Sequence, residues 1–229
     1  MKLASIITIS LFSYNSIIAQ SQVIERDHYG EKVLIAPDGN YIKIFRTKKL
    51  LSTAIFRPYA LRFRSNAEKL TRLGIPTVQV YSVSYCPENR RHLVEYRPLA
   101  GETLRAVLRE GGDVELLLKG FARFLAELHR RGVFFRSIHF GNVIVQPESG
   151  EFGLIDIADM RIRRRSLGMP ARARNFRHFL RYPEDVHALA AFGFDRFLER
   201  YLEAADLRGW RQRLFQRLAE RTLRKGLQR

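Results

Sequence analysis

Residues His129 to Asp159 read HRRGVFFRSIHFGNVIVQPESGEFGLIDIAD, and the fold is decided there. Asn142 stands just before a β-branched run, Val143-Ile144-Val145. A turn-rich Pro147-Glu148-Ser149-Gly150 follows, then a second apolar run from Phe152 to Ile155 that ends on Asp156. Two short apolar runs around such a turn predict a β-hairpin. A hairpin returns the chain on itself, so the residue entering it and the residue leaving it end side by side. Here those residues are Asn142 and Asp156, an amide oxygen and a carboxylate. Hard cations such as Mg²⁺ take oxygen ligands and usually carry phosphate with them. The pair predicts a metal-assisted phosphate site.

An Asn closing a loop, a hairpin, and an Asp opening a short turn repeat the order of the protein-kinase motifs H-R-D-x-x-x-x-N and D-F-G. Counted back from Asn142, Phe135-Arg136-Ser137 stands where that pattern has His-Arg-Asp, and Asp156-Ile157-Ala158 stands for D-F-G. With the upstream Leu128-His129, Gly132 and the ending IDIAD, the stretch resembles the bacterial lipopolysaccharide-core (Kdo/heptose) kinase family. Within that family it is most similar to the kinase-like toluene tolerance proteins. The resemblance runs from Gln22 to about Ala190 in order of elements, although its motif content is short. It implies an α+β, protein-kinase-like two-lobed fold with a small antiparallel sheet lobe and a mostly helical lobe. It also implies ATP and Mg²⁺ as cofactors, Asn142 and Asp156 as metal ligands, and a sugar of the lipopolysaccharide core or a similar anionic glycolipid as acceptor.

Ser137 departs from the pattern, because it stands where kinases carry the catalytic aspartate. His139, two residues later, and Asp159, one turn past Asp156, are the substitutes by position. The departure leaves an alternative open: a pseudokinase, binding nucleotide or acting as a scaffold without transferring phosphate.

Upstream of the stretch, Asp113 to Arg131 predicts a long helix, with Val114, Leu117, Leu118, Phe121, Phe124, Leu125 and Leu128 at helical spacing. Gly132 ends it, and Thr103 to Glu110 is a shorter helix. Strands are expected at Val23-Ile24, Lys32 to Ile35, Tyr41 to Phe45, Ile75 to Tyr85 and His92 to Tyr96. In the kinase layout Glu95, Tyr96 and the Pro98 to Gly101 segment would be the hinge whose backbone meets the adenine edge; a plain linker would look the same. Lys43, inside an alternating strand after the Pro37-Asp38-Gly39-Asn40 turn, matches the nucleotide-gripping lysine, or else lies on a solvated face. Gly30 is the single glycine where protein kinases carry three, so the phosphate loop would grip through amides from His28 to Glu31 or through Lys32. A helix is expected over residues 50 to 73, with Leu50, Leu51 and Ala54 on its apolar side and Pro58 dividing it. Glu68 is the only carboxylate between Asp38 and Glu88, and so the only local partner for Lys43; an exposed helical glutamate fits equally.

The N-terminal LASIITISLF and SYNSIIAQSQ imitate a secretory signal peptide. Ile17 and the interrupting polar residues speak against cleavage, and an ATP-using enzyme belongs in the cytoplasm. Residues 1–21 are therefore expected as a leader packed on the small lobe, 22–96 as the sheet lobe and 97–229 as the helical lobe.

Downstream of Asp159, Arg161, Arg163, Arg164, Arg165, Arg172, Arg174, Arg177 and Arg181 occur with no intervening acid. Arginine presents a planar fork suited to phosphate. Arg136, Arg161, Arg163, Arg164 and Arg165 are the expected contacts to an anionic glycolipid or sugar-phosphate acceptor. Phe176 and Phe179 at helical spacing mark an inward face rather than a nucleic-acid platform. Helices are expected from Pro183 to Glu203 and from Leu207 to the end; the second, with Trp210, Leu214, Phe215 and Leu218 opposite many arginines, would lie on the inner membrane face or on the domain itself. The chain's 229 residues carry a net charge of +17, which calls for an acidic partner, or else reflects a general bias towards arginine. Nucleic acid rests on that charge alone and is disfavoured. The single cysteine, Cys86, excludes an intramolecular disulfide and fits a reducing compartment.

Overall fold

The computed structural model describes residues 6–46 and 58–227. The chain divides into two units, Met1–Arg72 with Thr77–Leu99, and Leu73–Pro76 with Ala100–Arg229. The first unit holds β1 (Ile7–Thr8), α1 (Leu11–Gln20), β2 (Gln22–Asp27), β3 (Gly30–Ile35), β4 (Tyr41–Arg46), α2 (Tyr59–Arg72), β5 (Gln79–Cys86) and β6 (Arg91–Arg97). Its six strands form one sheet in the order β1-β5-β6-β4-β3-β2. All pairings are antiparallel except that of β1, which lies parallel to β5.

Strand alternation gives this sheet two apolar faces. Leu34, Ile42, Ile44, Cys86 and Leu93 pack on one side with Tyr14 of α1, flanked by Ile9, Ile17 and Ile18. Residues 7–20 are thus built into the sheet unit, and Ser10 caps α1 by accepting the Ser13 N–H at 3.1 Å. On the other side Phe63 of α2 lies 5.8 Å from Phe45 and 5.4 Å from Tyr96, centroid to centroid. Pro58 does not divide a helix in the described residues. It precedes α2, and its carbonyl accepts the Arg62 N–H, as suits a residue with no N–H of its own. Leu50, Leu51 and Ala54 lie outside the described residues.

The second unit holds β7 (Glu102–Thr103), α3 (Leu104–Arg109), α4 (Val114–Arg130), β8 (Val133–Phe135), β9 (Val143–Val145), β10 (Phe152–Leu154), β11 (Met160–Ile162), α5 (Met169–Phe179), α6 (Pro183–Phe192), α7 (Phe194–Ala204) and α8 (Trp210–Leu227). Two small sheets, β7-β9-β10 and β8-β11, stand among these helices. Phe121, Phe140, Phe176, Phe179, Phe197, Tyr201 and Phe215 are all fully buried and form its aromatic core. The helix expected from Pro183 to Glu203 is two helices. Gly193, at φ 100°, breaks it in a conformation that L side chains rarely adopt. The last helix starts at Trp210 rather than Leu207, after Gly209 at φ 58°. Among the described residues no helix is long and apolar enough to cross a membrane.

Candidate active site

The loop between β8 and β9 carries Arg136 to Asn142, and the β9–β10 hairpin follows in the register Val143↔Leu154. The Ile155 N–H donates to the Asn142 carbonyl at 3.1 Å, so Asn142 and Asp156 leave the same end of the hairpin. Asn142 is buried, and its Nδ2 donates to the Ser137 carbonyl at 2.8 Å. That bond fixes the amide plane and turns Oδ1 away from the Ser137 carbonyl. Asp156 takes the left-handed conformation, φ 52° and ψ 43°, at the head of the 3₁₀ turn Ile157–Asp159. Such backbone costs about 1 kcal/mol or more in a residue other than glycine, and it clusters at functional sites. Among the described residues no group of three or more His, Cys, Asp or Glu side chains forms a metal cage. Mg²⁺ needs no such cage, because it is held by one or two side-chain oxygens with phosphates and water. The donor set of Asn142 and Asp156 fits it.

Two buried networks fix the loop from behind, and the sequence reading missed both. In the first, the Asp185 side chain, wholly buried at the start of α6, receives Arg105 Nε at 2.8 Å and Nη2 at 3.0 Å. Its Oδ2 also accepts the Phe140 N–H at 2.9 Å, inside the loop. The carboxylate holds the Arg105 guanidinium still more firmly protonated than usual.

The second network starts at Arg172 Nη1, which donates to the Tyr201 hydroxyl at 3.2 Å. That hydroxyl meets His129 Nδ1 at 2.7 Å, and His129 Nε2 meets Asn175 Oδ1 at 3.0 Å. Asn175 Nδ2 then donates to the Phe135 carbonyl on β8 at 2.6 Å. The acceptor Asn175 Oδ1 requires that Nε2 carry the His129 proton and that Nδ1 accept from tyrosine. Burial pushes His129 down to about 3, and the Tyr201 phenol upward. Arg172 also donates to the carbonyls of Leu167 and Ala205. It is therefore a structural arginine, which corrects its place in the anion-binding segment.

Ser137 is half-buried and contributes its carbonyl to the Asn142 bond. His139 is half-buried beside the Tyr182 ring, 4.4 Å between centroids, and its Nδ1 is buried without a hydrogen-bond partner. Burial first, and then the Arg105 charge, push its pKa below the usual histidine value, with Asp185 and Asp156 opposing. Asp159 lies 3.5 Å from the Arg136 guanidinium, and its carbonyl accepts the Arg136 N–H. Arg161 is exposed on β11, and Arg163, Arg164 and Arg165 are exposed just beyond it. A Cβ on Gly132 would collide with the carbonyls of Arg163 and Arg165, so only glycine lets that segment close over the end of α4.

In the first unit Lys43 is 8% exposed, between Val33 of β3 and Val94 of β6. The solvated-face reading of this lysine falls. Its Nζ lies 5.9 Å from the Phe45 ring centroid. Glu68 is half-buried on α2, next to the buried Asn66 and Ala67. Glu95 accepts from Ser82 Oγ at 3.1 Å, and Tyr96 packs in the core. Both sit inside the sheet, with β4 and β5 on either side, and the chain leaves the strand after Arg97. Gly30 closes the β2–β3 turn at φ 114°. There the Tyr29 N–H is taken by Asp27 Oδ1 at 2.8 Å, and Lys32 is ion-paired with Glu25.

No protein-family model matches the chain, and no curated protein does. Among solved structures, "WaaP in complex with acyl carrier protein" matches with a TM-score of 0.60 at 17% sequence identity. The match covers 94% of this chain and 92% of that one. The protein therefore has the kinase-like α+β fold that WaaP shares, from the six-stranded sheet unit through the helical unit.

Proposed function

We propose that this chain is a kinase-like phosphotransferase using ATP and Mg²⁺ to phosphorylate a sugar of the lipopolysaccharide core or a similar anionic glycolipid. The observation that carries the proposal is the pair Asn142 and Asp156 at one end of the hairpin, with the asparagine amide held by the Ser137 carbonyl. The fold shared with WaaP supports the same reading. WaaP is in complex with acyl carrier protein, so such a carrier is also a candidate partner of this chain.

Phosphoryl transfer asks the protein mainly for position and charge neutralisation. When bound, Mg²⁺ would neutralise phosphate charge, held by Asn142 and Asp156. Lys43 would neutralise further phosphate charge. His139, whose neutral form burial favours, would accept the acceptor hydroxyl proton; such a base is worth roughly 10²–10⁴-fold. Ser137 would serve through its backbone carbonyl, which orients the Asn142 amide. A carboxylate there would add a like charge beside phosphate, costing ~4 kcal/mol at about 4 Å and an effective dielectric of about 20.

Thermal shift with ATP and Mg²⁺ in the parent, Lys43→Met and Asp156→Asn tests binding; stabilisation should occur only in the parent. Phosphate transfer to core oligosaccharide in the parent, Ser137→Asp, His139→Ala and Asp159→Asn tests chemistry. The expected result is loss of transfer in His139→Ala and no gain in Ser137→Asp. Gain in Ser137→Asp from a silent parent would instead establish the pseudokinase reading.

A further inference from the structure

Four of the arginines that follow the hairpin, Arg161, Arg174, Arg177 and Arg181, gather on one face of the second unit, around Phe134 and His178. The cross-strand partner of Phe134 is Arg161 on β11, so these two side chains leave the same face of the ribbon. The Arg174 guanidinium lies 5.2 Å from the Phe134 ring centroid, and His178 meets the ring edge-on at 5.8 Å. Both come from one side of α5. Burial, then the charges of Arg181, Arg136, Arg174 and Arg177, push His178 down to about 4. Four guanidinium groups therefore crowd a ring that stays neutral. Arg181 acts on His139 as well, and Arg136 immediately precedes Ser137, so this face adjoins the loop.

Counter-charge is short here. Arg136 has Asp159 at 3.5 Å. Among the described residues no carboxylate is ion-paired with Arg161, Arg174, Arg177 or Arg181, and all four are exposed. Like charges held this close repel one another unless an anion is bound. One carboxylate supplies a single negative charge, whereas each phosphate monoester supplies about 1.5 to 2 and fits the guanidinium fork with two oxygens. A nucleic acid would use an open aromatic face for base stacking. Phe134 offers none: it is 5% exposed, covered by Arg174 and His178.

Resting on the phosphotransferase reading, we infer that this face binds an acceptor already carrying at least two phosphate groups. The test is calorimetric titration of the full chain, without nucleotide, with a hexose bisphosphate, a hexose monophosphate and glucuronate. The bisphosphate should bind roughly tenfold more tightly than the monophosphate, and glucuronate more weakly still. Arg174→Gln with Arg177→Gln should weaken bisphosphate binding by about 10²-fold, a factor of about ten per guanidinium. Arg211→Gln with Arg213→Gln on α8, a change of equal charge, should leave it nearly unchanged. Equal affinity for the two hexose phosphates, equal loss in both double variants, or stronger competition by a short RNA than by the bisphosphate would each overturn the inference. Selective bisphosphate binding in a parent that ATP and Mg²⁺ fail to stabilise would leave the face standing and remove the phosphotransferase reading alone.

Discussion

Two sets of arginines in the second unit share a residue type, yet do opposite work. Arg172 sits inside, its donors spent on Tyr201, Leu167, Ala205 and Ser166. Arg105, from α3, is similarly consumed by Asp185 and Glu184. Arg174, Arg177 and Arg181 stand outside with no carboxylate ion-paired to them among the described residues. A saturated guanidinium fixes backbone; an exposed one with no carboxylate on it is open to an anion. The contrast separates what holds the loop from what would meet the acceptor.

The sharpest way to break that contrast is Asp185→Ala. It leaves Arg105 with Glu184 alone and strands the Phe140 N–H; a charge-assisted bond at about 1.5–3 kcal/mol and an unsatisfied buried donor at about 1–3 kcal/mol together make about 3–5 kcal/mol. Denaturant unfolding should show this loss, with transfer activity lost alongside it; a change below about 1 kcal/mol would mean that Asp185 does not anchor the loop. Next comes Arg172→Met. It strands the carbonyls of Leu167 and Ala205, each unsatisfied group costing about 1–3 kcal/mol, so about 3 kcal/mol in all is expected.

The third prediction concerns pH. In the folded protein His129 has its pKa lowered from 6.5 to about 3, so the unfolded chain takes up the proton first as pH falls. Stability is then full above about pH 6.5 and declines below it. From pH 6.5 to 5 the loss is about 2 kcal/mol from this residue. Comparing urea unfolding of the parent and His129→Gln across that interval checks the slope, which should flatten in the variant. The smallest effect belongs to Arg177→Gln, whose stability should stay within about 0.5 kcal/mol of the parent, as surface changes usually do. A larger loss would place Arg177 with the saturated set.

Helical phase already held part of this distinction. Arg172, Phe176 and Phe179 fall on one side of α5, and Arg174 and Arg177 do not; the inward aromatics could have assigned Arg172 to the core. The hairpin was legible for a related reason, since its two apolar runs and its turn specify one another locally. Asn142 and Asp156 follow from its register. The long α4 was legible too, down to Asp113, whose carboxylate caps it by accepting the Leu116 N–H at 3.0 Å. Asp185 was not. Beside Glu184 it looks like any acid in a first helical turn, and only partners 80 and 45 residues earlier, Arg105 and the Phe140 N–H, make it turn inward. The break at Gly193 was equally hidden, because apolar spacing continues across it and only the left-handed φ ends the helix. Lys43 was ambiguous because alternation fixes which residues share a face, while burial depends on what covers that face.

The two anchors also impose an order on synthesis. Phe135 waits for Asn175, 40 positions later, and Phe140 waits for Asp185, 45 positions later. At about 5–20 residues per second the ribosome takes roughly 2–9 s to make that interval. During it a nascent chain can close the hairpin from local sequence, yet the loop carrying Ser137 and His139 lacks both partners that hold it. The hairpin can therefore form before the loop, and the loop is completed only when the start of α6 has emerged.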